Sequence, residues 1–243
     1  MASKESKTNK PVIMVHGDKG GVGKSIVCNM LVEYLLKNEV PTHLIETDTS
    51  NPDVYYVMKD RVAHTLQNLN EKEGWTELVN KVAECNDTIV INMAARLREA
   101  TQKYGANFCD DLNELNRPLV LLWVINRQAD SISLLRAALE NLPTLKTVVV
   151  VKNLYWSGGN IAKFTLWDNS KTKIAIEENG GLTINFPDQD DTTVDLISNK
   201  RMSFIEATNN ANDIGLRFGN KRDLERWVNE VFSTFDTVKE HLR

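Results

Sequence analysis

One stretch near the N-terminus combines four glycines, two lysines and a serine: Gly17-Asp18-Lys19-Gly20-Gly21-Val22-Gly23-Lys24-Ser25. An apolar run, Val12-Ile13-Met14-Val15, precedes it and a second run begins at Ile26. A phosphate-binding loop requires this order of elements: a strand, a glycine-rich turn and the start of a helix. The glycines let backbone N–H groups approach an anion, Lys24 can reach the β- and γ-phosphates, and the Ser25 hydroxyl can ligate Mg²⁺. The stretch therefore predicts a nucleotide site, because a plain tight turn does not explain this composition.

The rest of the chain alternates between strand and helix patterns. Apolar runs predict strands at 11–16, 42–47, 88–91, 119–125, 147–151 and 182–186. Helical spacing predicts helices at about 23–37, 53–68, 74–84, 93–116, 131–142 and 223–242. This alternation favours an α/β fold with a mostly parallel central sheet flanked by helices. We expect residues 1–10 to be a disordered tail and 11–243 to be a single domain.

Composition limits the remaining function classes. The 243 residues carry a net charge of -4, which gives no support for a large nucleic-acid footprint, although the pairs Lys200-Arg201 and Lys221-Arg222 leave direct DNA contact open.

The three cysteines lack C-x-x-C spacing and indicate free thiols in a reducing compartment. With no signal peptide pattern, we expect a cytoplasmic protein. The C-terminal amphipathic segment lacks the excess of Lys and Arg that interfacial helices carry, so no membrane anchor is expected.

Several landmarks together resemble a known family. Lys19-Gly20-Gly21-Val22-Gly23-Lys24-Ser25 resembles the deviant Walker A motif of the MinD/ParA group of P-loop ATPases. Three later segments are similar to the TraL/StbB-like branch of conjugative plasmids: Asn153-Leu154-Tyr155-Trp156, Phe186-Pro187 and Arg201-Met202-Ser203-Phe204. The resemblance implies ATP/ADP and Mg²⁺ as cofactors, a homodimer formed with ATP, and a protein partner in plasmid transfer or maintenance.

The resemblance also implies roles for individual residues. Lys19 matches the signature lysine that reaches the partner subunit's phosphates, and the segment from Gly20 to Ile26 would cradle the phosphates of the chain's own nucleotide. Asp48 matches the acidic residue of the first switch loop, which orients the attacking water. Glu46 lies where the family usually has another aspartate, near the metal and its waters. The metal set implied in this way is Ser25, Glu46, Asp48 and Asn92.

Asn92 departs from the family pattern. The family places its Walker B aspartate at the end of this strand, and the amide of Asn92 contributes no charge to Mg²⁺. Hydrolysis by Lys19, Lys24 and Asp48 is therefore expected to be slow, unless Glu46 compensates.

The base pocket is implied by three residues. Asn153 matches the residue that hydrogen-bonds the adenine edge, since its amide offers both a donor and an acceptor. Phe186 and Pro187 match the segment that lines the pocket. From the residues alone, a role for Asn153 as a helix cap or turn residue is predicted as well as a contact with the base.

Three functions follow from these observations. The first is an ATP-dependent switch with slow, Mg²⁺-dependent hydrolysis. The second, motivated by Asn92, is a nucleotide-binding interaction protein with little or no turnover. The third is an ATP-dependent metabolic enzyme on the same fold, such as a ligase or a reductase with a bridging iron–sulfur cluster. Cys85 and Cys109 form no recognisable cluster-ligand pattern, which does not favour the iron–sulfur version.

Overall fold

A seven-stranded sheet forms the centre of the molecule in the computed structural model, which describes residues 10–17 and 19–243. Its strand order is β3-β2-β4-β1-β5-β6-β7, and every neighbouring pair is parallel. The strands are β1 (Val12–His16), β2 (Thr42–Glu46), β3 (Ala63–Leu66), β4 (Thr88–Asn92), β5 (Leu119–Ile125), β6 (Thr147–Asn153) and β7 (Leu182–Phe186). The predicted α/β class is confirmed, and the sheet is parallel throughout.

Helices cover both faces of this sheet, because parallel neighbours need crossover connections. They are α1 (Lys24–Lys37), α2 (Asp53–Met58), α3 (Lys72–Glu84), α4 (Arg98–Glu114), α5 (Ala129–Asn141), α6 (Thr165–Asp168), α7 (Lys171–Glu178), α8 (Asp191–Asn199), α9 (Phe204–Asn209), α10 (Phe218–Asp236) and α11 (Lys239–Leu242). Two short 3-10 helices, Leu154–Ser157 and Ile161–Lys163, follow β6. None of the helices in the described ranges is long and apolar enough to cross a membrane.

The side chains of β1 show how the two layers are built. Ile13 and Val15 pack in one core with α1, α2 and α8 to α11, while Val12 and Met14 pack in the other with α3 to α7. A strand buried on both sides reads as a continuous apolar run, which is why β1, β4, β5 and β6 were predictable. The neighbouring strands β1 and β4 therefore lead to helices on opposite faces, and this opens a crevice at their carboxyl ends, where ligands of open parallel sheets bind.

Two predictions about the elements are corrected. The helix expected over 53–68 ends at Met58, and the chain then forms β3, which pairs with β2 at the sheet edge. Three of the four residues of β3 are exposed, so no buried apolar run marks it in the sequence. The predicted C-terminal helix is two helices, because α10 ends at Asp236 and α11 begins at Lys239. The tail predicted to be disordered lies, up to residue 9, outside the described residues.

Candidate nucleotide-binding site

The phosphate-loop segment connects the carboxyl end of β1 to the start of α1. Gly21 and Gly23 have positive φ values of 73° and 104°, so the turn uses backbone conformations that favour glycine. A Cβ on Gly23 would lie 2.3 Å from Asn153 Nδ2, whereas one on Gly20 would meet no heavy atom within 4 Å. The segment thus forms a close contact with β6 on one side and opens to free space on the other.

Lys24 is the first residue of α1 and is only 8% exposed. Its Nζ donates to the main-chain oxygen of Lys19 at 2.8 Å, so the ammonium lies across the loop. The neighbouring His16 is buried, and burial, followed by the charge of Lys24, lowers the pKa of His16 to about 3. His16 is therefore neutral at physiological pH, and Lys24 supplies the positive charge at this end of β1.

Lys19, in contrast, points towards the N-terminal end of α5. Its Nζ pairs with Asp130 Oδ2 at 2.7 Å and also donates to Gln128 Oε1. The Lys19 side chain is 30% exposed and the Asp130 side chain 49% exposed, so this is a surface ion pair of small intrinsic strength. Sequence spacing gave no sign of this contact, since Lys19 and Asp130 are 111 residues apart.

Glu46 and Asn92 face each other at the carboxyl ends of β2 and β4, which pair in register at these residues. Asn92 Nδ2 donates to both carboxylate oxygens of Glu46 at 3.0 Å, and the Asp48 main-chain N donates to Oε1 at 2.9 Å. Burial raises the pKa of Glu46 to about 7, although the hydrogen bonds from Asn92 and Asp48 act in the opposite direction. The acidic group at this edge is thus on β2, one strand away from the expected Walker B position.

Thr47, which the sequence analysis did not single out, joins the two loops that follow these strands. Its Oγ1 donates to the Asn92 main-chain oxygen at 2.9 Å and accepts from the Ala94 N at 2.7 Å. Next to it, half-buried Asp48 holds its own loop, since Oδ1 accepts from Ser50 Oγ at 2.6 Å and from the Asn51 N at 3.0 Å. The predicted switch residues therefore lie in one connected hydrogen-bond network.

Six of the residues predicted to bind nucleotide line a single cavity of ≈ 220 Å³: Gly21, Gly23, Ile26, Asn153, Phe186 and Pro187. Three elements that are distant in sequence supply them, namely the phosphate loop with α1, the end of β6 and the end of β7. Sequence reasoning missed the rest of the lining, which is Tyr155, Gln189, Asp191, Val194 and Trp227. Trp227 lies in the C-terminal amphipathic segment, where the spacing of apolar residues predicts a helix and no ligand contact.

Asn153 binds the protein main chain at this cavity. Its Nδ2 donates to the Val22 oxygen at 2.9 Å, and its Oδ1 accepts from the Tyr155 N at 3.2 Å, which caps the following 3-10 helix. The predicted capping role of Asn153 is therefore confirmed. The amide keeps a second N–H and a second lone pair, so a contact with a base stays a prediction.

The geometry at Gly23 gives a stability prediction. Gly23→Ala is expected to lower the free energy of unfolding by about 2 kcal/mol or more, because a side chain at this φ is strained and its Cβ would collide with Asn153. Gly20→Ala is the matched control and should leave stability within about 0.5 kcal/mol, since its Cβ enters open space. Urea denaturation without nucleotide measures both. Equal stabilities for the two variants would show that the Gly23–Asn153 contact is wrong.

Comparison with solved structures identifies proteins of similar fold. The chain resembles the MinD cell division protein of Aquifex aeolicus with a TM-score of 0.53 and 14% identity, over 92% of this chain and 98% of that one. It resembles the signal recognition particle receptor FtsY of Elizabethkingia anophelis with a TM-score of 0.51 and 14% identity, over 76% of this chain and 61% of that one. These likenesses show a MinD-like P-loop NTPase fold.

Sequence comparison identifies a related protein. No protein-family model matches the chain. It is 41% identical over 230 residues to protein MobD of Acidithiobacillus ferrooxidans, which corresponds to 94% of this chain and 98% of MobD. Identity of this extent over nearly the whole of both proteins shows that the chain belongs to the family of protein MobD.

Proposed function

We propose that this chain is an ATP-binding switch protein of the MinD/ParA type, which forms a dimer with ATP and hydrolyses it slowly. The observation that carries this proposal is the single cavity shared by the phosphate loop, Asn153, Phe186 and Pro187. Three separate motifs of the sequence point to nucleotide, and the fold brings them together at the sheet edge where such ligands bind. Phosphates would lie against Gly20–Ile26 and the base against β6 and β7.

The oxygen donors at the ends of β2 and β4 fit a magnesium ion. Asn92 Oδ1 is buried and has no hydrogen-bond partner among the described residues, while Ser25 is half-buried at the start of α1. Mg²⁺ keeps several waters in nucleotide sites and needs few protein ligands, so Ser25 could hold it directly while Glu46, Asp48 and Asn92 accept from its waters. When bound, the ion would neutralise charge on the β- and γ-phosphates.

Dimer formation is the part of the proposal that involves Lys19. A second cation beside a triphosphate offsets its crowded negative charge. In the single chain this lysine is held by Asp130 and Gln128 through exposed contacts, which are weak enough for a partner's phosphates to replace. We place the resulting switch in the cytoplasm, in plasmid transfer or maintenance. The TraL/StbB-like segments imply this setting, and the relationship to MobD is compatible with it.

A second candidate, nucleotide binding with little or no turnover, is favoured by one observation. The amide of Asn92 is bonded to both oxygens of Glu46, so it serves as a hydrogen-bond donor to the neighbouring acid and adds no charge of its own. On this account the nucleotide would control partner binding through occupancy alone.

A turnover assay with Mg²⁺ and ATP distinguishes the two functions. The switch ATPase predicts slow phosphate release that is lost in Asp48→Ala and in Lys24→Ala, with nucleotide binding retained by Asp48→Ala. Lys72→Ala, at an exposed position of α3, is the control and should behave as the wild type. Nucleotide binding without any phosphate release would support the second candidate and contradict the first.

A further inference from the structure

A groove of ≈ 470 Å³ lies between α5 and α7, at the sheet edge opposite the nucleotide site. Its floor includes Thr147 and Val148 at the start of β6, whereas Asn153 ends the same strand at the phosphate loop. Seven residues of strand separate the two ends by about 20 Å. The groove is therefore a separate feature, and the proposed nucleotide switch does not use it.

The walls and floor of the groove are mainly apolar. They include Leu139, Leu142, Leu145, Val148 and Ile176. Leu142 and Ile176 are buried, while Leu139, Leu145 and Val148 keep part of their surface exposed. An occupant with large apolar side chains would remove this remaining surface from water, which is the main source of favourable free energy in such contacts.

The rim of the groove is positively charged although the chain as a whole carries a net charge of -4. Arg136, Lys146 and Lys171 line it and are exposed, and Glu140 is the single acidic residue in the described lining. Within residues 10–17 and 19–243, these three cations form no ion pair or side-chain hydrogen bond. They are thus available to carboxylates of another molecule.

Lys171 has a further peculiarity. It is the first residue of α7, and the first turn of this helix contains no acidic residue. The N-terminal end of a helix carries partial positive charge, so a lysine there is unfavourable within the chain and adds to the positive potential at the groove. An anionic group on a bound partner would offset this unfavourable electrostatic interaction.

We propose that this groove binds an acidic, amphipathic segment of a partner protein. The apolar side chains of the segment would enter the floor, and its carboxylates would pair with Arg136, Lys146 and Lys171. A second copy of the chain fits less well, because α10, its long amphipathic helix, has its apolar stripe in the core. A membrane surface also fits less well, because the apolar residues line a recess and do not project from it.

The position of the groove adds a functional consequence. Because it lies about 20 Å from the phosphate loop, a segment bound in the groove would leave the nucleotide cavity open. The groove would then be an attachment point separate from the nucleotide site. This inference stands whether or not the chain hydrolyses ATP.

The experiment selects peptides without assuming a partner. A displayed library of random 16-residue peptides is panned on the immobilised full-length protein, with counter-selection on the bare support. We expect enrichment of peptides with net negative charge and apolar residues at helical spacing. If no peptide is retained, or if the retained peptides are neutral or basic, the proposal is wrong.

Affinities of a labelled, enriched peptide then locate the contact. Fluorescence anisotropy should show binding about 10-fold or more weaker to the triple charge-reversal variant, Arg136→Glu/Lys146→Glu/Lys171→Glu. Ala175→Trp, which fills the groove from an exposed position of α7 and keeps all three cations, should weaken it similarly. Lys72→Glu, an exposed charge reversal on α3, is the matched control and should bind within about 2-fold of the wild type. Equal binding to all variants would place the peptide elsewhere and overturn the proposal.

Two further outcomes would assign the groove to other occupants and so contradict the proposal. The wild-type protein could sediment as a dimer that the triple variant loses, which would identify a second copy as the occupant. Alternatively, phosphatidylglycerol vesicles could bind the wild type and not the triple variant while no peptide binds, which would identify an anionic lipid surface.

Discussion

Replacing Lys24 with alanine is expected to weaken ATP binding about 100-fold. The Nζ of Lys24 is held over the loop by the Lys19 main-chain oxygen, at 2.8 Å, and the residue is 8% exposed. A charged hydrogen bond in such a shielded position contributes up to about 3 kcal/mol, which corresponds to about two orders of magnitude in affinity. Isothermal titration calorimetry with ATP and Mg²⁺ measures the loss directly.

The control for this experiment is Lys72→Ala, which removes an exposed lysine from α3 and should leave the ATP affinity unchanged. Far-ultraviolet circular dichroism establishes that both variants are folded. If Lys24→Ala binds ATP within about 3-fold of the wild type while the wild type itself binds well, the phosphates do not lie against this loop, and the proposed site is wrong.

Glu46→Gln is expected to remove a pH-dependent loss of stability. Burial raises the pKa of Glu46 to about 7, above the ordinary value of 4.5, so the folded state binds this proton more tightly than the unfolded state does. The stabilising contribution is complete below pH 4.5 and is lost as the pH rises through 7. A difference of this size corresponds to about 3 kcal/mol. Glutamine keeps the shape of the side chain and removes the titration.

The measurement is urea denaturation at pH 5 and at pH 8, in the absence of nucleotide and Mg²⁺. Between these two pH values, the free energy of unfolding of the wild type should fall by about 2.5 kcal/mol more than that of Glu46→Gln, since part of the Glu46 contribution is already lost at pH 5. Glu114→Gln, at an exposed position at the end of α4, is the control and should follow the wild type. Parallel pH dependences for the wild type and Glu46→Gln would contradict the buried Glu46–Asn92 arrangement.

The fold was largely predictable from the sequence because the central strands are buried on both sides. β4, β5 and β6 are continuous apolar runs between helical segments, and this pattern is typical of a parallel sheet. β3 was not predictable because it is an exposed edge strand, and its backbone pairs with β2 only once the sheet exists. The break between α10 and α11 was missed because the apolar stripe continues through it to Leu242.

The candidate site was predictable where a motif carries its own geometry, as the phosphate loop does. Long-range contacts were not predictable. The pairing of Glu46 with Asn92 depends on the register of β2 with β4, and the contact of Lys19 with Asp130 depends on where α5 begins. Asp191 and Gln189 line the cavity from the segment after β7, which has no motif of its own.

Sedimentation velocity of the full chain with bound nucleotide tests the central claim, that nucleotide controls dimer formation. The account predicts a dimer with Mg²⁺ and a non-hydrolysable ATP analogue, and a monomer with ADP. Lys19→Ala should stay monomeric with both ligands. A wild-type chain that binds the analogue and still sediments as a monomer would contradict the proposed switch.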